Sequence, residues 1–220
     1  MYHYVEDKDF LKRAQKTCSG LMAELEEELR ENGINSQFFL VGSGARNMVT
    51  QNKEEPIDFD YNLNMVSCDT SSDCKAIKEA VRKAFNNVLK RHKLPDCDDS
   101  TSSLTMKKIY FEDDNSIEFS IDVGIVVKGK NGNWFRLKHE KWRSSYSDRY
   151  YWNEAPSSNG YSEKAKAIKS IPGWWEKARK RYLEIKNDYL RENDHTHPSF
   201  VCYIQAVNDV YNQMRQKGIL

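Results

Sequence analysis

Asp58 and Asp60 stand one residue apart inside Pro56-Ile57-Asp58-Phe59-Asp60-Tyr61-Asn62-Leu63. An alternating run of this length predicts a strand, and residues i and i+2 of a strand project from the same face. The two carboxylates therefore point together, with Ile57, Phe59 and Tyr61 on the opposite side. Neighbouring carboxylates repel unless a cation lies between them, and hard divalent ions such as Mg²⁺ take oxygen ligands. The pair reads as a metal seat; a solvated strand edge is the plainer alternative.

Upstream lies Phe38-Phe39-Leu40-Val41-Gly42-Ser43-Gly44-Ala45-Arg46, an apolar strand running into a small-residue turn that is expected to open a helix. Unpaired N–H groups at such a turn, with no Cβ on Gly42 to hold an anion away, suit a phosphate. Gly42 and Ser43 are the candidate phosphate-binding residues. Arg46, one turn further on, is equally suited to a phosphate or to a surface acid. A third carboxylate, Asp122, interrupts the otherwise apolar run Ile121-Asp122-Val123-Gly124-Ile125-Val126-Val127. A charge buried in such a run costs several kcal/mol unless something compensates it, roughly what breaking a buried ion pair costs. Glu118 is the competing acid on the same strand face, but it sits at the expected hairpin end, where Lys107 or Lys108 would suffice as a cross-strand partner.

Apolar-Gly-Ser, a gap from Gly44 to Ile57, then apolar-Asp-apolar-Asp-apolar resembles the nucleotidyltransferase superfamily of the DNA polymerase β type, in layout closest to its stand-alone bacterial enzymes. That resemblance implies an α+β fold: a polymerase β-like core with a mixed sheet flanked by helices, followed by a C-terminal helical region. It also implies that Asp122, in Ile121-Asp122-Val123, is the third acid of the site. Asp58, Asp60 and Asp122 would then be both the catalytic and the metal-binding residues, with Mg²⁺ or Mn²⁺ as cofactor. Gly42 and Ser43 would bind the substrate, a nucleoside triphosphate such as ATP. The implied reaction is transfer of a nucleoside monophosphate to an acceptor hydroxyl with release of pyrophosphate, the acceptor being unspecified. The competing function is a non-catalytic antitoxin or interaction module of the same fold that binds nucleotide without using it. A basic residue beyond the third acid often holds the triphosphate in this superfamily, and no motif selects among Lys164, Lys166 and Lys169.

The elements that must position these residues are legible as periodic stripes. Phe10, Ala14, Cys18, Leu21, Leu25 and Leu29 predict a helix over about 7–32, stopped by Asn32-Gly33. Ile77, Ala80, Val81, Ala84, Phe85, Val88 and Leu89 predict a second over about 72–92, whose Lys and Arg residues suit a solvated face. Pro95 to Ser103 reads as a loop, Leu104 to Phe111 as a strand, Asp113 to Ser116 as a turn, and Ile117 to Val127 as the partner strand. Pro156-Ser157-Ser158-Asn159-Gly160 marks a boundary, dividing a catalytic core over 1–155 from a helical region over 156–220, expected to pack on that core. Helices are predicted over 161–169, from Pro172 to about Asn193, and over 199–217.

The totals set the class. The chain has 220 residues, 30% of them charged, with a net charge of +1. That balance argues against extended nucleic-acid binding, which calls for a broad basic face. Locally, Lys128 to Arg149 carries seven Lys or Arg against Glu140 and Asp148. Trp134, Phe135, Trp142, Tyr146, Tyr150, Tyr151 and Trp152 are interleaved there or follow directly. That segment suits either stacking on a nucleotide or packing over the sheet. Five cysteines without CxxC spacing predict reduced thiols. With no apolar stretch of membrane-spanning length and no basic, apolar N-terminal leader, a cytoplasmic address is expected. His195 and His197, in a loop without further ligands nearby, suit a solvated role better than a metal.

Overall fold

The computed structural model describes residues 1–111, 114–142, 147–155, 159–194 and 197–220, with positions 114–116 and 159 described in backbone only. In chain order the elements are β1 (Tyr2–Tyr4), α1 (Lys8–Glu31), β2 (Ser36–Leu40), β3 (Thr50–Asn52), β4 (Ile57–Met65) and α2 (Cys74–Arg91). They continue with β5 (Asp98–Asp99), β6 (Leu104–Phe111), β7 (Asp114–Lys128), β8 (Trp134–Glu140), β9 (Arg149–Glu154), α3 (Asn159–Ser170), α4 (Trp174–Arg191) and α5 (Ser199–Gln216). Two compact units result: Val5–Val49 with Glu54–Pro156, and Met1–Tyr4 with Thr50–Lys53 and Ser157–Leu220.

In the larger unit β4 shows why its sequence alternates. Ile57, Phe59, Tyr61, Leu63 and Met65 are buried, while Asp58, Asp60, Asn62 and Asn64 lie on the other face. The buried side joins Phe119, Ile121 and Val123 of β7 and the apolar stripes of α1 and α2 in one core. Burying side chains of this size contributes roughly 1.5–3 kcal/mol each. Phe119 anchors the core, with Phe10, Phe59 and Phe111 around it at ring-centroid distances of 6.1, 6.4 and 5.1 Å. Asp7 caps α1 by accepting from the N–H groups of Asp9 and Phe10, and Asp73 caps α2 in the same way. Both helices start where their last loop carboxylate can satisfy first-turn donors.

The sheet is mixed, in the order β2-β4-β7-β6-β5, with β8 joined to β7 and β9 to β8. β4 and β7 run parallel, whereas β2, β6 and β8 are antiparallel to their neighbours. β7 is long enough that β6 pairs with it up to Val123, after which β8 pairs from Val126. This is the expected α+β architecture. Two segments differ from their local signals. The polar 95–103 stretch contains the two-residue strand β5, clipped onto Leu104 and Thr105. Of the turn predicted over 113–116, positions 114–116 are the start of β7, which already pairs Asp114 with Phe111; Asp113 lies outside the described residues.

In the smaller unit β1 and β3 form an antiparallel pair. Asn187 of α4 holds β1 by accepting from the Tyr2 N–H at 2.7 Å and donating to the Tyr2 carbonyl at 3.0 Å. Trp174, Tyr182 and Ile185 of α4 are buried, as are Ile168 of α3 and Tyr203, Val207 and Met214 of α5. The three C-terminal helices fall within a residue or two of their predicted spans. Among the described residues no helix is long and apolar enough to cross a membrane.

Candidate active site

Parallel pairing of β4 with β7 sets Asp60 directly beside Asp122, and Asp58 beside Ser120. Neighbouring strands lie about 4.8 Å apart, so acids distant in sequence become lateral neighbours. Ser120 donates its hydroxyl proton to Asp58 Oδ1, and Thr105 donates to Asp122 Oδ1, with Ser103 Oγ 3.4 Å from the same oxygen. Asp60 lies between the other two acids. Its carboxyl is pushed up to about 6, first by burial and then by the charges of Asp122 and Asp58, with Arg136 and Arg46 pulling the other way. Burial and two neighbouring carboxylates thus act together against the charge on Asp60. Among the described residues, no three His, Cys, Asp or Glu side chains close on a single point as metal ligands. Asp58 and Asp122 are each turned to a hydroxyl neighbour instead.

The Gly42–Ser43 turn lies against Asp60. Gly42 has φ +65°, and a Cβ on it would fall 3.0 Å from Cγ of Asp60. Both the backbone conformation and the close approach call for glycine. The helix expected after Ser43 is only a 3-10 turn, Gly44–Arg46, ended by Asn47 in the left-handed region at φ 54°. The chain there turns back toward β3, with Met48 N–H closing onto the Ser43 carbonyl at 3.0 Å. That turn therefore brings no α-helix dipole to the site. What remains is a tight turn in which, among the described residues, the N–H groups of Gly42, Ser43 and Gly44 meet no protein acceptor.

Among solved structures, the chain is similar to Vibrio cholerae DncV in its GTP-bound form, with TM-score 0.55 and 16% identity over 94% of this chain and 52% of that one. It is similar to the 3'-deoxy ATP bound form of the same protein, with TM-score 0.56, 15% identity, and coverage of 94% and 53%. Escherichia coli MS115-1 CdnC with ATP matches at TM-score 0.55 and 14% identity, over 92% of this chain and 61% of that one. The chain has the polymerase β-like nucleotidyltransferase fold. It spans little more than half the length of these proteins. No family model and no curated protein matches the sequence.

Within this nucleotidyltransferase fold, sequence reasoning misses Arg136 and Asn62 on the site's face of the sheet and leaves Arg46 undecided. Arg136 of β8 donates to Asn62 Oδ1 at 2.6 Å. Burial draws its guanidinium down, against the pull of Asp60 and Asp122. A Cβ on Gly124 would sit 2.8 Å from the Arg136 Cζ. That glycine, inside a run of Ile and Val, is the signal that a close approach was needed there. Arg46 donates to the Gly42 carbonyl at 2.6 Å and favours ionised Asp60, so it acts at the site. Asn62 is simply the next step of the Asp58, Asp60 alternation.

Other candidates fall elsewhere. Lys107, a possible partner for Glu118, pairs with Asp98 at 2.8 Å instead. Lys164 donates to Asn208 at 2.6 Å, and Lys169 lies 4.3 Å over the Trp175 ring. His197 stacks on Tyr189 at 3.4 Å and pairs with Asp194 at 3.0 Å, while His195 lies outside the described residues. In the basic aromatic segment, Phe135, Tyr150 and Trp152 pack on the core, and Trp134 pairs with Phe39 at 5.8 Å. Trp142 is 61% exposed, and Tyr146 lies outside the described residues. Packing thus accounts for much of this segment. All five cysteines are free thiols.

Proposed function

We propose that the chain transfers a nucleoside monophosphate from a nucleoside triphosphate to an acceptor hydroxyl, with Asp58, Asp60 and Asp122 as its acids and Mg²⁺ or Mn²⁺ as its cofactor. The observation that carries the reading is Asp60, held beside two further carboxylates with its own carboxyl raised to about 6. A solvated strand edge has no need of such crowding. The all-oxygen donor set suits a hard divalent cation. Asp58 would exchange its hydroxyl partner for the ion, whereas Asp122 would keep Thr105 on Oδ1 and offer the ion its second oxygen. When bound, the ion neutralises the three acids and polarises the phosphate oxygens. The solved structures similar in fold are a GTP-bound form, a 3'-deoxy ATP bound form and a protein with ATP, which supports a triphosphate as the ligand.

The chain's own residues then have separable roles. Unpaired N–H groups at Gly42, Ser43 and Gly44 hold the terminal phosphates, and Gly42 allows the approach. Asp122 receives the acceptor hydroxyl's proton as the new O–Pα bond forms, the Pα–O–Pβ bond breaks and pyrophosphate leaves. Arg136 supplies positive charge beside Asp60. A cytoplasmic setting suits five free thiols.

The second reading, a nucleotide-binding module without turnover, draws on Asp58 and Asp122 being hydrogen-bonded away from a common point. One experiment separates the two. The protein is incubated with Mg²⁺ or Mn²⁺ and each of the four common ribonucleoside triphosphates, and pyrophosphate is followed. Release by the wild type, lost in Asp58→Ala and Asp122→Ala proteins of unchanged circular dichroism, supports the enzyme. A metal-dependent nucleotide thermal shift without release supports the module, and neither signal refutes both.

A further inference from the structure

Away from the three acids, the same unit buries a second set of charges. Lys78 of α2 and His139 of β8 have only 3% and 4% of their side chains exposed. Lys78 Nζ lies 2.6 Å from Asp99 Oδ1 and donates to the Ser100 carbonyl at 2.7 Å. His139 Nδ1 lies 2.9 Å from Asp99 Oδ2, and its Nε2 lies 3.0 Å from Asp148 Oδ2. The ring is thus held at both nitrogens, each facing a carboxylate. Tyr150 stacks on the ring at 4.0 Å. Lys141 also donates to the Asp99 carbonyl.

Burial raises the Asp99 carboxyl, but Lys78, His139 and Lys141 outweigh it and hold the group below the usual carboxylate range. Removing one member of such a network leaves a charge without its partner, which is strongly destabilising. A surface loop of Ser and Thr gains nothing obvious from so costly an anchor. What the anchor holds is the Ser100–Ser103 turn. His139 N–H donates to the Thr101 carbonyl at 2.8 Å, and Ser100 N–H donates to the Ser103 carbonyl at 3.0 Å.

From that turn a relay of hydroxyls leads to the site. Ser100 Oγ lies 2.9 Å from Ser103 Oγ, which lies 3.4 Å from both Thr105 Oγ1 and Asp122 Oδ1. Thr105 is the register partner of Asp122 and donates to its Oδ1. The β5 clip holds Thr105 from its other side, through the pairing of Asp98 with Thr105 and Asp99 with Leu104. Asp99 is thus both the centre of the ion network and part of the clip.

We propose that the Lys78–Asp99–His139–Asp148 network, built around the buried Lys78 and His139, is a positioning device for Asp122, fixing the Ser100–Ser103 turn and β5 so that Ser103 and Thr105 set the direction of its carboxylate. Its functional meaning rests on Asp122 being a site acid. None of the four residues touches substrate; they act through Thr105 and Ser103. A carboxylate whose direction is fixed before a ligand arrives loses little freedom on binding one, and outer partners of this kind are worth about 10–100-fold in metal affinity.

The test reads Asp122 in protein stripped of metal. With ¹³C-labelled aspartate, the Asp122 and Asp58 carboxyl resonances are assigned from Asp122→Asn and Asp58→Asn. Thr105→Val, which removes the last donor, defines the shift of a released Asp122. Lys78→Met and His139→Gln are expected to move Asp122 in that direction while leaving Asp58 in place, and Thr105→Ser to keep the wild-type position. Mn²⁺ affinity, titrated by electron paramagnetic resonance, falls about tenfold in the same variants. Should Lys78→Met not fold, His139→Gln and Ser103→Ala carry the test. An unmoved Asp122 resonance in folded Lys78→Met or His139→Gln overturns the proposal, even if the wild type binds Mn²⁺. Conversely, wild-type protein that binds no Mn²⁺ while Asp122 responds refutes the metal reading and leaves the positioning intact.

Discussion

Replacing Asp60 with Asn removes a charge that burial and then its neighbouring carboxylates oppose, and the size of the effect follows from the structure. In the unfolded chain an aspartate releases its proton near 3.8, whereas Asp60 in the fold keeps it to about 6. Between those values the native state binds a proton that the unfolded state has lost, so stability falls as pH rises through the window. A shift of that size corresponds to about 3 kcal/mol lost by neutral pH, at about 1.4 kcal/mol per pKa unit. Asp60→Asn abolishes the loss. In chelator, the unfolding free energy of the variant minus that of the wild type should be flat below pH 4, grow by about 3 kcal/mol across the window and level off above it. Urea denaturation at a series of pH values measures this difference, and the other ionising groups cancel to first order. A carboxyl ¹³C titration gives the midpoint directly, and Asp122→Asn should lower it. A pH-independent difference, or an Asp60 midpoint near 4, would show that the three acids do not crowd one another and would remove the main support for a cation site.

Other outcomes follow from the same geometry. Arg136→Met removes a cation that favours ionised Asp60, so the Asp60 midpoint should rise further above its wild-type value in the same titration. Gly42→Ala forces a side chain into the left-handed region at φ +65° and toward Asp60. The backbone alone should cost about 1–2 kcal/mol, read from the urea midpoint, and pyrophosphate release should fall by more than the loss of folded protein explains. Added Mg²⁺ or Mn²⁺ should stabilise the wild type more at pH 8 than at pH 5, because Asp60 is protonated at the lower value. Thermal melts of Asp60→Asn should show little of that pH dependence.

Features encoded within a few residues were readable directly. The stripe from Phe10 to Leu29 required α1, and the alternation of Ile57 to Leu63 put Asp58 and Asp60 on one face, because helix and strand periods express themselves in a short window. Asp122 stood out because a carboxylate among Ile and Val needs a reason to be there. Other features depend on residues that only folding brings together. Nothing local announces that β4 and β7 pair in parallel with Asp60 beside Asp122. Nor does anything local show that the Ser43 turn stops after one 3-10 turn, or that β1 pairs with β3 across more than forty residues. Arg136 and the Lys78–Asp99–His139 network were hidden for the same reason. A buried cation is tolerable only opposite a particular acid, and the choice of acid is made by strand register and helix packing rather than by spacing along the chain. Local residue pattern dictated which residues had to be buried and which acids needed a partner; packing in three dimensions chose the partner each received, because charge pairing acts through space.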